Sequence, residues 1–228
     1  MEKILIFFDR GGMWMWAILA FQLVSLVIII ERVYFLYFKR KRWNKGWVEE
    51  VGLLVKKGQL DQVLKLTEGH LQKDPVARVA LAGTQVAAEL GGKEEILGKM
   101  DEVLLSETSH LERRIGFLPM LGNVATLTGL LGTITGMITA FVAVSRASPS
   151  EKAELLSAGI SEAMNTTAYG LIVAIPALIM YSVLQNRANT LIEDLKQSSL
   201  RIYNWLAFSC EPVTDKKAML EQQDSIVV

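Results

Sequence analysis

Glu162 is the residue whose type and position could do chemistry, because this carboxylate stands one residue before a long apolar segment. The segment 163–186 contains no charged residue, and a helix over it would be roughly 36 Å long at 1.5 Å per residue. A bilayer core is about 30 Å thick, so this segment is long enough to cross a membrane. Apolar surroundings favour the protonated form of a carboxyl group. The position therefore predicts either a group that takes up and releases protons or an interfacial residue that reaches water.

Three threonines could act together with Glu162. Thr166 and Thr167 follow it on the same predicted helix, and Thr133 belongs to a second uncharged segment, 115–145. Their hydroxyl groups could hold water or relay hydrogen bonds to the carboxylate. At about 100° per residue, Thr166 lies about 40° from Glu162 around the helix, whereas Thr167 lies about 140° away. Helical geometry alone thus favours Thr166 as the neighbour of the carboxylate.

Other chemistry is not indicated by the sequence. The single cysteine, Cys210, excludes an internal disulfide framework, and no CxxC pair or His/Cys cluster suggests zinc. We expect His70 and His110 to be surface residues. No phosphate-binding loop, dinucleotide-binding motif or nucleophile elbow appears. We therefore predict no enzyme, cofactor or metal site, and a formal net charge of zero gives no argument for nucleic acid.

Composition predicts an integral membrane protein. Hydrophobic residues make up 51% of the chain and the mean hydropathy is +0.30, which is too apolar for an ordinary soluble domain. A third apolar segment, 14–38, has Trp residues at one end and Tyr residues at the other, as in the aromatic belts of membrane interfaces. The basic run KRKR follows this segment, so a retained anchor is favoured over a cleaved signal peptide.

The basic residues predict an orientation. Of the 24 Lys and Arg residues, all but Lys3, Arg10, Arg146 and Lys152 fall in the segments 32–114 and 187–228. The positive-inside rule places those two segments in the cytoplasm and the N-terminus outside.

The predicted fold is all-α, with three transmembrane helices, a cytoplasmic helical domain between the first and second, and long helices extending into the cytoplasm. In chain order we expect a periplasmic N-terminus with room for a short interfacial helix (1–13), a first span (14–38), a cytoplasmic helical domain (39–114), a second span (115–145), a periplasmic turn (146–154), a third span (155–186), and a cytoplasmic helix and tail (187–228).

Glycines and caps divide the cytoplasmic segment into helices. An Asp74 N-cap followed by Pro75 predicts a helix start, because proline is favoured in the first turn. The helix ends are predicted at glycines, namely Gly58, Gly69 and Gly91-Gly92. A further helix would run on into the second span with a bend near Gly116 and Pro119. The simplest role for this domain is to stabilise an assembly.

The second and third spans should form an antiparallel pair across a short turn centred near residue 149 or 150. Reflection about that centre puts Thr133 level with Thr166, within a residue or two, and Glu162 level with Met137. Because residues 115–145 carry no charge, an equally long partner helix must begin before Glu162, which places the carboxylate inside the span. Glycines at a spacing of seven predict a face for close helix packing: Gly122, Gly129 and Gly136.

These two spans resemble a known family. GNVATLTGLLGTITGMITAF, followed after a short turn by GISEAMNTTAYGLIVAIPALIMY, is similar to the signature of the proton-channel family of MotA, TolQ and ExbB. The similarity covers residues 117–186. Three spans with a cytoplasmic domain between the first and second fit the ExbB and TolQ branches.

The resemblance implies a pentamer in a bacterial inner membrane, in contact with lipids, whose second and third helices enclose a mostly apolar pore. A single-span partner of the ExbD or TolR type would enter the pore, and proton flow would drive motion passed to a TonB- or TolA-like protein. The pore glutamate of the family corresponds to Glu162, its span-two threonine to Thr133 and its span-three threonine to Thr167. The motif thus favours Thr167 where helical geometry favours Thr166. Asn165 departs from the motif, whose residue there is usually apolar.

Several alternatives stay open at the level of sequence. The protein could serve any of three systems: TonB-linked energy transduction for outer-membrane transport, Tol-type envelope maintenance, or a gliding-motility motor. The sequence of the second span resembles the ExbB branch, which belongs to the first system, slightly more closely. A membrane scaffold without ion flux is the other class of function. The choice of protons over sodium follows from the resemblance to three-span members, and the periodicity does not distinguish five copies from another ring size.

Overall fold

The computed structural model describes residues 12–39, 46–71, 74–89 and 92–209. Every regular element in these ranges is helical. In chain order they are α1 (Gly12–Val33), a π-helical segment (Tyr34–Lys39), α2 (Gly46–Lys56), α3 (Leu60–His70), α4 (Pro75–Glu89), α5 (Lys93–Glu112), α6 (Phe117–Arg146) and α7 (Lys152–Ser209). The predictions for residues 1–11, Gly91 and the tail 210–228 concern parts of the chain outside the described residues.

Three helical stretches are long and apolar enough to cross a membrane, namely Gly12–Phe38, Lys93–Arg146 and Lys152–Ser209. The prediction of an all-α protein with three candidate membrane helices is therefore confirmed. The helices begin and end within a few residues of the predicted spans, except that α7 continues to Ser209.

The junction between α5 and α6 differs from the prediction. We expected one helix running into the second span with a bend near Gly116 and Pro119, but residues 113–116 form turns and separate two helices. Arg114 has a φ of +65°, in the left-handed region, and this residue interrupts the helix. Pro119 lies in the first turn of α6, where its missing N–H leaves no helical hydrogen bond unmade.

The chain divides into two compact units. The first unit comprises Met1–Leu36 and Glu112–Arg187, and the second comprises Tyr37–Leu111 and Ala188–Val228. In the first unit α1 packs against α6. Its core consists of small and large apolar residues from α1, α6 and α7: Met15, Ile18, Ala125, Tyr169 and Val173.

The second unit confirms most of the predicted helix caps. Gly58 has a φ of +71°, where glycine is favoured, just after α2 ends. The Asp74 Oδ1 accepts a hydrogen bond of 2.9 Å from the N–H of Val76, which caps α4 as predicted. The other carboxylate oxygen of Asp74 accepts a hydrogen bond of 2.9 Å from the indole N–H of Trp47. Helix α3 ends at His70, one residue beyond the predicted stop at Gly69.

One prediction about a histidine is wrong. His70 is half-buried and its ring stacks on Trp47, with 5.4 Å between the ring centroids, so it is not a plain surface residue. His110 is exposed, as expected. The Trp47 side chain therefore packs with His70 and hydrogen-bonds Asp74 in the core of the second unit.

Candidate functional site

The register of α6 against α7 is set by glycines where the two helices touch. A Cβ on Gly129 would lie 3.1 Å from the Thr166 carbonyl oxygen, and one on Gly136 would lie 3.2 Å from the Ala163 Cβ. Gly159 packs in the same way against Ala140. The Gly136–Ala163 and Gly159–Ala140 pairs place the centre of the hairpin between residues 149 and 150, in agreement with the predicted register.

The hairpin brings the hydroxyl groups of Thr133 and Thr167 into a hydrogen bond with each other. Carbonyl oxygens surround the pair. The Thr133 Oγ1 lies 3.2 Å from the Ala163 carbonyl and 3.3 Å from that of Gly129, and the Thr167 Oγ1 lies 2.9 Å from the same Gly129 oxygen. A hydroxyl group carries one proton, so each threonine can donate to only one acceptor at a time. The pair can therefore exchange between hydrogen-bond patterns by rotation of two hydroxyl groups.

Thr166 occupies a different place from Thr167. Its side chain is buried, and its Oγ1 donates a hydrogen bond of 3.0 Å to the Glu162 carbonyl of its own helix. Its methyl group packs against Gly132. The structure thus joins Thr167, the residue favoured by the motif, to Thr133, while Thr166 fills the contact between the helices.

Glu162 is exposed on α7, and its carboxylate reaches the first residue of α1. The Oε1 atom would lie 2.9 Å from a Cβ on Gly12, whose φ of +69° also favours glycine. Among the described residues, no hydrogen bond joins this carboxylate to Thr133 or Thr167. The three residues are therefore neighbours along the hairpin rather than a closed hydrogen-bonded triad.

Apolar surface continues beyond the level of Glu162 on the partner helix. Ala163 faces Gly136 and Gly159 faces Ala140, so Glu162 lies level with the residues between those two positions of α6. Beyond them α6 exposes Phe141 and Val142 to its surroundings, with relative exposures of 57% and 48%. The carboxylate therefore does not lie at the end of the apolar hairpin.

Sequence reasoning missed one polar contact between α1 and α7. The Tyr169 hydroxyl and the Gln22 Oε1 form a hydrogen bond, and Tyr169 is buried. Gln22 is an uncharged polar residue among apolar neighbours, and this was the only feature of the sequence that could have indicated the contact.

Nothing in the structure explains the amide of Asn165, which is half-buried. Within the described residues no group of His, Cys, Asp and Glu could hold a metal ion.

Comparison with known proteins identifies the class to which the chain belongs. Residues 71–197, more than half of the chain, match the MotA/TolQ/ExbB proton channel family. The chain therefore belongs to the MotA/TolQ/ExbB proton channel family, a family of transmembrane proteins. This match includes Thr133, Glu162 and Thr167.

The relatives carry names from two branches of that family. The Tol-Pal system protein TolQ of Haemophilus influenzae is 37% identical over 95 residues, covering 42% of this chain and 41% of that protein. The biopolymer transport protein ExbB of Pseudomonas putida is 30% identical over 93 residues, covering 41% of this chain and 28% of that protein. A putative biopolymer transport protein of Synechocystis, ExbB-like 3, is 30% identical over 177 residues, covering 77% of this chain and 82% of that protein. The first two matches thus span less than half of each relative.

Proposed function

We propose that this protein is a proton-conducting motor subunit in which Glu162 takes up and releases the transported proton. Thr133 and Thr167 relay hydrogen bonds along the hairpin next to it. The observation that carries the proposal is the paired Thr133 and Thr167 hydroxyls, held by α6 and α7 on the same hairpin as an exposed carboxylate. A proton crossing 100 mV releases about 2.3 kcal/mol, which is enough to bias a mechanical step.

The apolar surface of α6 and α7 supports an assembly around a pore. Both helices expose large apolar side chains on their sides, for example Ile134 and Ile138 on α6 and Ile172 and Ile175 on α7. These surfaces must meet lipid, other copies or a partner helix. We infer a homo-oligomer, with five copies as in the family resemblance, and a single-span ExbD- or TolR-like partner in the pore. Proton flow would then move a TonB- or TolA-like protein.

The location and the system served are part of the same proposal. The distribution of basic residues supports the bacterial inner membrane with the N-terminus in the periplasm and the C-terminus in the cytoplasm. Relatives named ExbB and TolQ support either TonB-type energy transduction for outer-membrane transport or Tol-type envelope maintenance. Of these we propose the ExbB type, since the second span resembles it more closely.

Proton flux into vesicles tests the function. The complex is purified with its native partners and reconstituted, and proton uptake is driven by a potassium diffusion potential. We expect Glu162→Gln to abolish the potential-driven uptake, because the amide cannot take up a proton at the pH of the assay. Glu154→Gln removes a carboxylate two turns earlier on α7, where the side chain is also exposed, and should leave the flux unchanged.

The same vesicles separate the proposal from its alternatives. Equal flux in Glu162→Gln and the parent complex would contradict the role of Glu162. No flux in the parent complex, with or without the partner, would favour a scaffold. Strict dependence of the activity on sodium would overturn the choice of protons.

A further inference from the structure

A groove on the first unit runs between α1 and α6 and ends at an ion pair. Four apolar residues of α1 line it, Leu23, Val24, Val27 and Ile28, together with Phe117 at the start of α6. Its volume is about 490 Å³. Four of these five side chains are exposed, Val27 by 65% and Phe117 by 53%. An exposed apolar groove between two membrane helices is suited to bind a hydrocarbon chain.

One end of the groove carries charge, from Glu31 and Arg114. The Arg114 guanidinium donates to the Glu31 carboxylate at 2.6 Å, and both side chains keep about 40% of their surface exposed (44% and 40%). Arg32 lies 3.5 Å from the same carboxylate and is itself buried. Two guanidinium groups thus share one carboxylate, which leaves an excess of positive charge.

The backbone places Arg114 at this end. Arg114 has a φ of +65°, a backbone angle that is uncommon for residues other than glycine, asparagine and aspartate. That conformation ends the helical path between α5 and α6. The Arg114 side chain contacts Glu31 in the last turn of α1. In the sequence, the basic run KRKR follows the end of this span.

We propose that this groove binds one phospholipid with an anionic headgroup, such as phosphatidylglycerol, from the cytoplasmic leaflet. An acyl chain lies along Val24, Val27 and Ile28, and the phosphate lies at Arg114. Charge complementarity identifies the occupant, because basic residues at the cytoplasmic end of a span attract anionic lipid. The inference uses the membrane spans and the ion pair, and it does not depend on proton transport.

Native mass spectrometry of the detergent-purified protein tests the proposal. The protein is titrated with phosphatidylglycerol or phosphatidylcholine of the same acyl chains, and the bound lipid is counted. We expect tighter binding of phosphatidylglycerol, with a preference lowered about fivefold in Arg114→Ala, the contribution of one arginine near an anionic surface. Arg146→Ala, at the opposite end of α6, should keep the full preference.

A second pair of variants tests the groove itself. Val27→Trp should fill it and reduce the binding of both lipids, whereas Ile30→Trp, equally exposed on α1 but not lining the groove, should not. Equal affinity of the parent protein for both lipids would overturn the proposal, as would an unchanged preference in Arg114→Ala. If Val27→Trp instead dissociates the oligomer and leaves lipid binding intact, the groove is an interface between copies and the proposal is wrong.

Discussion

At the scale of single residues, the site combines one carboxylate that faces outwards with two hydroxyl groups that face each other. Glu162 lies against Gly12, and Thr133 and Thr167 share the Gly129 carbonyl oxygen as an acceptor. Hydroxyl groups can accept and donate at once, so the pair can pass a hydrogen bond along the hairpin without any change in charge. The threonines are thus suited to relay, and the carboxylate to hold, a proton.

Removing one hydroxyl of the pair should impair transport. We expect Thr167→Val to lower proton flux by roughly two- to tenfold, since the loss of one neutral hydrogen bond at a step costs about 0.5–1.5 kcal/mol. Thr135→Val provides the control, because among the described residues the Thr135 hydroxyl bonds only carbonyl oxygens of its own helix, at 3.0 Å to that of Leu131 and 3.1 Å to that of Gly132. The flux assay in vesicles measures both. A Thr167→Val complex as active as Thr135→Val would argue against a relay.

Part of this site could be predicted from the sequence. The motif spacing favours Thr167, and the angular position on one helix favours Thr166, as the residue that acts with Glu162; this choice stays a prediction. The structure pairs the Thr167 hydroxyl with that of Thr133, a contact across the hairpin that positions on a single helix do not reveal. The contacts of Glu162 with Gly12 and of Tyr169 with Gln22 could not be predicted. Both join residues far apart in the sequence, and their register depends on how α1 docks.

At the scale of helices, the hairpin of α6 and α7 was the most predictable element. Its turn is short, so residues equidistant from the turn must lie level, and the glycine contacts follow that rule. The break between α5 and α6 was not predictable in the same way. Glycine at 116 and proline at 119 suggested a bend, but the left-handed residue is Arg114, and arginine has no intrinsic preference for that conformation.

Close packing of the hairpin should be sensitive to one methyl group. A Cβ on Gly170 would lie 2.8 Å from the Ala125 carbonyl oxygen, a backbone atom that cannot move without shifting the helix. We expect Gly170→Ala to destabilise the protein by about 1–3 kcal/mol through overpacking. Thermal unfolding in detergent, followed by circular dichroism, measures the change.

Gly98→Ala is the matched control for that substitution. Gly98 lies inside α5, and apart from the backbone of its own helix no atom of the described residues lies within 4 Å of an added Cβ, so alanine there should leave stability unchanged or raise it slightly. A Gly170→Ala protein that melts at the same temperature as Gly98→Ala would show that α6 and α7 are not packed through this contact.

At the scale of the whole molecule, the chain combines a unit of membrane helices with a helical unit that has its own core. Helix α7 contributes to both, with residues up to Arg187 in the first unit and residues from Ala188 in the second. Hydropathy predicted the three candidate membrane helices that the described residues contain, whereas the cytoplasmic location of the helical domain, inferred from the basic residues, stays a prediction. Oligomeric state and partners could not be predicted from hydropathy, because the exposed apolar surfaces of α6 and α7 fit lipid and protein equally well.

Labelling of the carboxyl groups by carbodiimides tests most directly whether Glu162 exchanges protons from within the membrane. A hydrophobic carbodiimide reacts with protonated carboxyl groups in apolar surroundings, so we expect it to modify Glu162 in the intact complex, to do so faster as the pH falls, and to stop proton flux in proportion. Glu154 should be modified only by a water-soluble reagent. Peptide mass spectrometry identifies the modified residues. If a membrane-impermeant, water-soluble carbodiimide modifies Glu162 and Glu154 alike while the hydrophobic reagent spares Glu162, the carboxylate lies in bulk water and the proton-motor account is contradicted.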